Sequence, residues 1–283
     1  MSLSILVTGA TGKVGRHVIQ ALKPHADAKI TAAVRDPSNA AALGVPTVTF
    51  DYDAPSTWGP ALQGIRALYL VTPPWHPREA EIGKAIIATA RETGVKRIVK
   101  LSALGAENLE MFAHKTVDAF LADSGLQTTL LKPTFFCQNF SVMHAASIKA
   151  TGAFYLAAGE GRIAFIDTRD IAAVAAKALL EPPHQGKTYE LTGPGALDHH
   201  EVAAILSKAA GREIRYVPIS EQQAIDGMRQ AGLPEVGVLG LTRLMSFVRE
   251  GHTARTTPTV QEVLGRAPIS FEQYAADYAD AFR

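Results

Sequence analysis

The sequence predicts an α/β chain: a doubly wound parallel sheet with helices on both faces, followed by a smaller, mostly helical C-terminal lobe. Three observations predict it. Short aliphatic and β-branched runs alternate with helix-period segments through the first half. A glycine-rich loop stands between the first run and the first helical segment. After Pro133 the pattern changes: Gly152, Gly159, Gly161 and the Pro182-Pro183 pair punctuate shorter elements, and helices follow.

The first-half strands are expected at residues 4–7, 29–34, 47–50, 67–71, 97–101 and 128–131. They read as continuous apolar runs, as strands buried on both faces do. Helical segments at 13–22, 37–43, 56–62, 77–93 and 108–123 separate them, which makes each connection a crossover. Further on, 170–180 reads as a helix and 188–191 as a strand. From His199 the segments 199–210, 219–231, 235–250 and 271–282 read as helices, interrupted by a strand-like 213–217. The expected organisation is a sheet domain over 1–150 and a lobe over 151–283, with segments of the lobe returning to the first sheet.

Composition removes several function classes. A chain of 283 residues, 47% apolar and 19% charged, builds its own core without disulfides or a structural metal. Its 28 basic and 27 acidic residues leave a net charge of +1, so no general nucleic-acid or anionic-membrane surface is expected. The single Cys137 excludes an internal disulfide framework and Cys-rich zinc sites. His199-His200-Glu201 lacks the second histidine of a zinc protease and reads as a helix start after Asp198, so no metal site is expected. The N-terminus enters a strand pattern with no basic leader, and the most apolar helical stretch, 171–180, is short and interrupted by Lys177. The expectation is a cytoplasmic chain with a small-molecule partner, no nucleic acid and no membrane. A homodimer stays open.

The strongest motif is Gly9-Ala10-Thr11-Gly12-Lys13-Val14-Gly15, after a strand and opening a helix. Gly9 turns tightly, Gly12 admits a pyrophosphate against the backbone, and Gly15 lets helix pack on strand. The helix N-terminus offers N–H groups to an anion. Lys13, Arg16 and His17 stand in the first turns, where cations oppose the macrodipole unless a phosphate compensates them. The first domain is therefore Rossmann-type. Twenty residues after Gly15, where an acid would take the ribose of NAD, stands Arg35. A guanidinium suits a 2′-phosphate, and Asp36-Pro37 reads as a helix cap with proline behind it. The expected cofactor is NADP(H).

These segments, with Leu70-Val-Thr-Pro-Pro74, Leu101-Ser-Ala103, Leu131-Lys-Pro133, Ile166-Asp-Thr-Arg-Asp170, Tyr189-Glu-Leu-Thr-Gly193 and Tyr216-Val-Pro218, resemble the NmrA-like family of atypical short-chain dehydrogenases/reductases. The resemblance covers essentially the whole chain. The family holds quinone reductases, a triphenylmethane-dye reductase, iminium reductases and catalytically silent NADP sensors, so it implies the fold more firmly than the activity. It implies that Thr72 and Pro73 pass the cofactor's riboses, that Asp51 and Tyr52 sit at the adenine, that Ser102 lies near the nicotinamide, and that Pro133 holds a segment over its ring.

Typical relatives of this fold use Tyr-x-x-x-Lys as proton donor, and none of the seven tyrosines here has a lysine four residues on. By the resemblance, His114 and Asp118 take that place. They share a helix face beside a stripe of Leu109, Phe112, Ala113, Val117, Phe120 and Leu121. Asp118 would orient the imidazole and favour its protonated form, and His114 would polarise or protonate an acceptor. The alternative is an ordinary surface pair. On the substrate side, Trp75, Phe135, Phe136 and Tyr155 would wall an apolar pocket, with Gln138 and Asn139 to hydrogen-bond a carbonyl. The other reading of these aromatics is core. The function expected is NADPH-dependent reduction of a small planar electrophile, a quinone first. The alternatives are a non-catalytic NADP(H)-sensing regulator and a pathway-specific imine, enone or carbonyl reductase.

Overall fold

A computed structural model describes residues 2–106 and 113–283. The first part of the predicted 108–123 helix, with Leu109 and Phe112, lies outside the described residues. The chain divides into two compact units, residues 1–133 with 168–190, and residues 134–167 with 191–283.

The first unit is built on strands β1 (Leu3–Val7), β2 (Ala28–Val34), β3 (Thr47–Thr49), β4 (Ala67–Leu70), β5 (Arg97–Leu101) and β6 (Gln127–Pro133). A later strand, β8 (Lys187–Leu191), completes a seven-stranded sheet in the order β3-β2-β1-β4-β5-β6-β8. The five pairings from β3 to β6 are all parallel. The strand order reverses between β1 and β4, and an open sheet of this kind opens a crevice there, at the carboxyl ends of its strands.

Helices cover both faces. α2 (Trp58–Leu62), α3 (Glu79–Glu92) and α4 (Ala113–Ala122) bury Leu62, Ile82, Ile86 and Val117 against Leu6, Leu68 and Ile98 of the strands. α1 (Gly15–Leu22) and α6 (Thr168–Leu180) pack together, and α6 runs along β4, β5 and β6. On α4, Val117 and Leu121 are fully buried as the stripe requires, but Phe120 is 38% exposed. It lies in a shallow surface groove with Ile87 and Arg91 of α3.

The second unit carries a two-stranded sheet, β7 (Ala153–Leu156) with β9 (Arg215–Pro218). Around it lie α5 (Ala145–Thr151), α7 (His199–Ala210), α8 (Glu221–Gln230), α9 (Glu235–Arg249), α10 (Thr259–Leu264) and α11 (Phe271–Asp277). Its core is aromatic: Phe140 meets Phe154, Phe165 and Phe271 edge to face, with centroids 5.3–5.6 Å apart. α7 and α8 both begin with capping boxes, Asp198 with Glu201 and Ser220 with Gln223. Among the described residues no helix is long and apolar enough to cross a membrane, and no cluster of three or more His, Cys, Asp or Glu side chains is placed to hold a metal ion.

Candidate functional site

Every cofactor contact expected from the sequence follows the carboxyl end of a parallel strand in the first unit. After β1 the chain turns at Gly9 (φ +57°), and the Gly12 N–H closes the turn on the Gly9 carbonyl at 2.9 Å. That turn delays the helix, which starts at Gly15 rather than at Lys13. A Cβ at Gly15 would stand 2.2 Å from the Gly9 carbonyl oxygen, so loop and helix approach as only glycine permits. No side chain caps α1, and no acid lies in its first turn. The Arg16 and His17 N–H groups bond the Gly12 and Val14 carbonyls at 3.4 and 2.9 Å, and the positive dipole end of the helix faces the loop side, where an anion is favoured. Thr11 and Gly12 are exposed there, and Val14 is buried beneath. Lys13 is partly buried, which lowers its pKa. Arg16 donates to the Thr11 carbonyl at 2.7 Å and the Gly12 carbonyl at 3.2 Å, so it braces the loop from within.

After β2, Asp36 accepts from the Ser38 N–H at 2.9 Å and the Ser38 hydroxyl at 2.8 Å. Those bonds lower its pKa and commit it as the cap of a 3₁₀ turn over Pro37–Leu43. Arg35 is exposed beside it. After β3, Asp51 closes its own turn on the Asp53 N–H, and the Tyr52 hydroxyl donates to the Val71 carbonyl at 2.6 Å. Asp53 in turn holds Arg78 and His76, each at 3.1 Å. The loops after β3 and β4 are thereby pinned to each other.

In the loop after β4, Glu79 organises the turn. The Thr72 hydroxyl donates to its carboxylate at 2.5 Å, and the backbone of Trp75 also bonds to it. Burial raises the Glu79 pKa, and these bonds and Lys100 work against the rise. Trp75 takes φ +64° within that turn, a left-handed backbone that a bulky residue adopts only under constraint. Pro73 is half-buried just ahead of it.

After β5 and along α4 lies a buried polar cluster. Ser102 is 4% exposed, and its hydroxyl donates to Asp118 Oδ2 at 2.6 Å. The other carboxylate oxygen, Oδ1, lies 2.8 Å from Nζ of Lys100. Lys100 was not anticipated; it sits in a strand read only for its apolar run. Its Nζ also reaches His114 Nδ1 at 3.2 Å and the Leu101 carbonyl at 3.3 Å. The ammonium thus has two hydrogen-bond acceptors and one ion-pair partner around it. Burial lowers the Lys100 pKa, while Asp118 and Glu79 pull it back up. The structure reverses the protonated histidine expected from the sequence: burial and Lys100 push His114 down to about 3, and Asp118 opposes this only partly. His114 is a neutral imidazole, and with Lys100 donating to Nδ1 its own proton belongs on Nε2. The one sequence signal for Lys100 is a lysine at the inner end of an apolar parallel strand, where a charge needs partners. Pro133 is buried at the end of β6, and its carbonyl accepts from the Leu104 N–H at 3.0 Å.

The second unit holds a cavity of about 420 Å³, within the usual range of small-molecule sites. Phe135, Asn139 and Tyr155 line it, joined by Met143, Met228 and Met245. Phe136 does not line it. Gln138 is 3% exposed and donates its amide to Asp167 at 2.8 Å, so it serves the unit's interior. Trp75 belongs to the other unit.

Known proteins resemble this chain over nearly its whole length. The model of the NmrA-like family matches residues 1–274. The NAD(P)H azoreductase of Xenophilus azovorans is 37% identical over 98% of this chain and 99% of its own length. The NADPH-dependent quinone oxidoreductase of Escherichia coli in complex with NADPH superposes with a TM-score of 0.84 at 31% identity, over 96% of this chain and 99% of that one. The triphenylmethane reductase of Citrobacter sp. in complex with NADP(H) gives 0.83 at 26% identity, over 97% and 99%. The match spans nearly all residues in sequence and in fold: the chain belongs to the NmrA-like family.

Proposed function

We propose that this NAD(P)H-dependent reductase passes a hydride from bound NADPH to a planar conjugated acceptor, with a quinone as the leading class. The glycine turn fits the cofactor because the N-terminus of α1 is uncapped and free of acids. Gly9, Thr11, Gly12, Lys13, Val14 and Gly15 would hold the pyrophosphate, and Arg35 the 2′-phosphate, since Asp36 is spent on its cap. Asp51, Tyr52, Thr72, Pro73, Ser102 and Pro133 would line the remainder from the strand ends.

The observation that carries the acceptor class is the contact of His114 Nδ1 with the buried Lys100 ammonium at 3.2 Å. It leaves His114 a neutral donor at Nε2. Such a group hydrogen-bonds a carbonyl oxygen and polarises it without giving up a full proton. An isolated ketone needs a stronger acid. A quinone does not, because its ring delocalises the arriving charge and solvent later supplies the proton. Asp118 and Ser102 act through Lys100, fixing its position and therefore the histidine tautomer. Supporting this reading are the relatives named above, which reduce quinones, azo compounds and triphenylmethanes by their names.

The test is NADPH oxidation against a panel of quinones, azo dyes, triphenylmethane dyes and cyclic imines, with reduced product quantified. Turnover fastest with quinones is expected. His114→Ala is expected to lower kcat about tenfold or more with little change in NADPH affinity, the signature of a group acting on the acceptor. A preparation that binds NADPH and reduces none of the panel would overturn the reading in favour of a cofactor-sensing protein.

A further inference from the structure

Glu79 is a buried carboxylate that the hydride transfer does not use. It is the first residue of α3 and is 9% exposed. An acid in the first turn suits the helix dipole without leaving the surface, so burial serves something else. The carboxylate turns back into the loop after β4. There it takes two donors, the Thr72 hydroxyl at 2.5 Å and the Trp75 backbone N–H.

Both bonds draw the loop onto α3. Thr72 is 2% exposed, and its methyl lies where a Cβ on Gly83 would come within 3.0 Å, so the helix is bare at the point that receives it. Trp75 is held at φ +64°, and every other described residue with a positive φ is a glycine. A bulky residue does not stay left-handed unless its surroundings hold it there. The bond from its own N–H to Glu79 is such a hold.

The turn has a chemical result. Pro73 and Pro74 carry no N–H, and the N–H of Trp75 is turned inward to Glu79. The backbone over 73–75 therefore presents carbonyl oxygens alone. The His76 N–H donates to the Pro73 carbonyl at 3.2 Å, and a carbonyl oxygen has a second lone pair to give. A strip of acceptors repels phosphate and suits hydroxyl groups. It follows the carboxyl end of β4, at the side of the crevice opened where the strand order reverses between β1 and β4. The hydroxyl-bearing parts of a dinucleotide are its riboses.

We propose that Glu79 is a positioning residue for the cofactor: by holding the Trp75 N–H it keeps the loop after β4 in its left-handed turn, so that residues 73–75 meet the ribose hydroxyls of NADP(H) with acceptors and no backbone donor. The inference deepens the cofactor site of the reading above and needs nothing of its acceptor. What it asks of residue 79 is reach and not charge.

The experiment is fluorescence titration of the full chain with NADPH, without an acceptor. Glu79→Asp keeps the charge and withdraws the carboxylate by one methylene; it is expected to weaken binding about tenfold, the scale of a lost bond to a charged group. Glu79→Gln keeps the reach, with its amide oxygen on the Trp75 N–H and its amide nitrogen on the Thr72 oxygen, and is expected to lose less than about threefold. Trp75→Gly supplies a residue that turns left-handed unaided, so in that background Glu79→Asp is expected to cost less than about threefold. A role confined to the dipole of α3 would not depend on residue 75. Glu79→Ala, which strands no buried charge, carries the same cycle if the aspartate variant does not fold. Unchanged affinity in Glu79→Asp, a loss in Glu79→Gln as large as in Glu79→Asp, or the same loss with tryptophan and with glycine at 75 overturns the proposal. The expected pattern in a chain that reduces no acceptor supports the role of Glu79 and removes the reductase reading. Turnover in a chain whose NADPH affinity ignores Glu79→Asp does the reverse.

Discussion

The ammonium of Lys100 stands 2.8 Å from Oδ1 of Asp118, and none of the lysine side chain reaches solvent. An ion pair at such depth gains strongly from attraction but loses hydration on both sides, so its net contribution to stability is small while breaking it is costly. Lys100→Met is therefore expected to destabilise the fold by about 3–5 kcal/mol, because it strands the Asp118 carboxylate. Lys100→Met combined with Asp118→Leu is expected to recover most of that loss. Urea denaturation of the two variants and the wild type checks both statements. A single Lys100→Met change costing no more than the double one would mean that the pair is not coupled.

Arg35 offers the cleanest cofactor prediction. It is exposed, and its neighbour Asp36 is consumed by Ser38. Replacing it by Ser is expected to weaken NADPH binding about tenfold or more, or about 1.4 kcal/mol, the scale of one charge-assisted bond to a phosphate. NADH binding should hardly move. Fluorescence titration with both cofactors gives the answer, and equal losses for the two would discard the guanidinium as the phosphate partner.

Gly15→Ala tests the cradle itself. The new Cβ would fall 2.2 Å from the Gly9 carbonyl oxygen, which forces α1 away from the turn. A loss of about 1–3 kcal/mol in stability is expected, as for other overpacked sites, together with a large fall in NADPH affinity. Gly59→Ala, where nothing lies within 4 Å, is the matched control and should bind normally.

Acid should unfold this protein early. His114 and His199 are held in the fold at about 3 and about 4, below the ordinary value of 6.5. A histidine with a depressed folded pKa binds fewer protons when native than when unfolded, so stability rises with pH across that gap. The contribution is complete above 6.5 and is lost as pH falls from there toward about 4 for His199 and about 3 for His114. Each histidine removes at most about 1.4 kcal/mol per pH unit in that window. Melting temperature measured from pH 7.5 to 4.5 should fall, and His199→Phe should flatten the slope. An unchanged slope would mean that His199 is protonated in the native state.

Much of the first unit was legible because its signals are local. Apolar runs marked the parallel strands within a residue or two, and Asp36-Pro37 announced the cap that the structure contains. The misread features depend on residues far apart in the chain. Lys100 looks like one polar residue in a strand until α4 brings Asp118 and His114 against it. The charge state of His114 turned on the same contact: a neighbouring carboxylate was visible in the sequence, and the buried cation at 3.2 Å was not. Gln138 looked free to meet a substrate, and its partner Asp167 lies 29 residues on. The short elements β7, α5 and α10 run for 4, 7 and 6 residues, too few to establish a period.

The strand order bears on how the chain is made. β6 finds its outer neighbour in β8, whose residues emerge from the ribosome more than fifty positions later. Until then β6 is an open edge with unpaired backbone groups, a template for any passing strand. The segment that emerges between them, residues 134–167, belongs to the other unit and cannot finish its own core before residues 191–283 arrive. Both halves of the molecule thus wait on the far end of the chain during synthesis. A fragment ending near residue 150 would keep every cofactor-loop residue and still be an aggregation hazard, because it would leave that edge exposed for good.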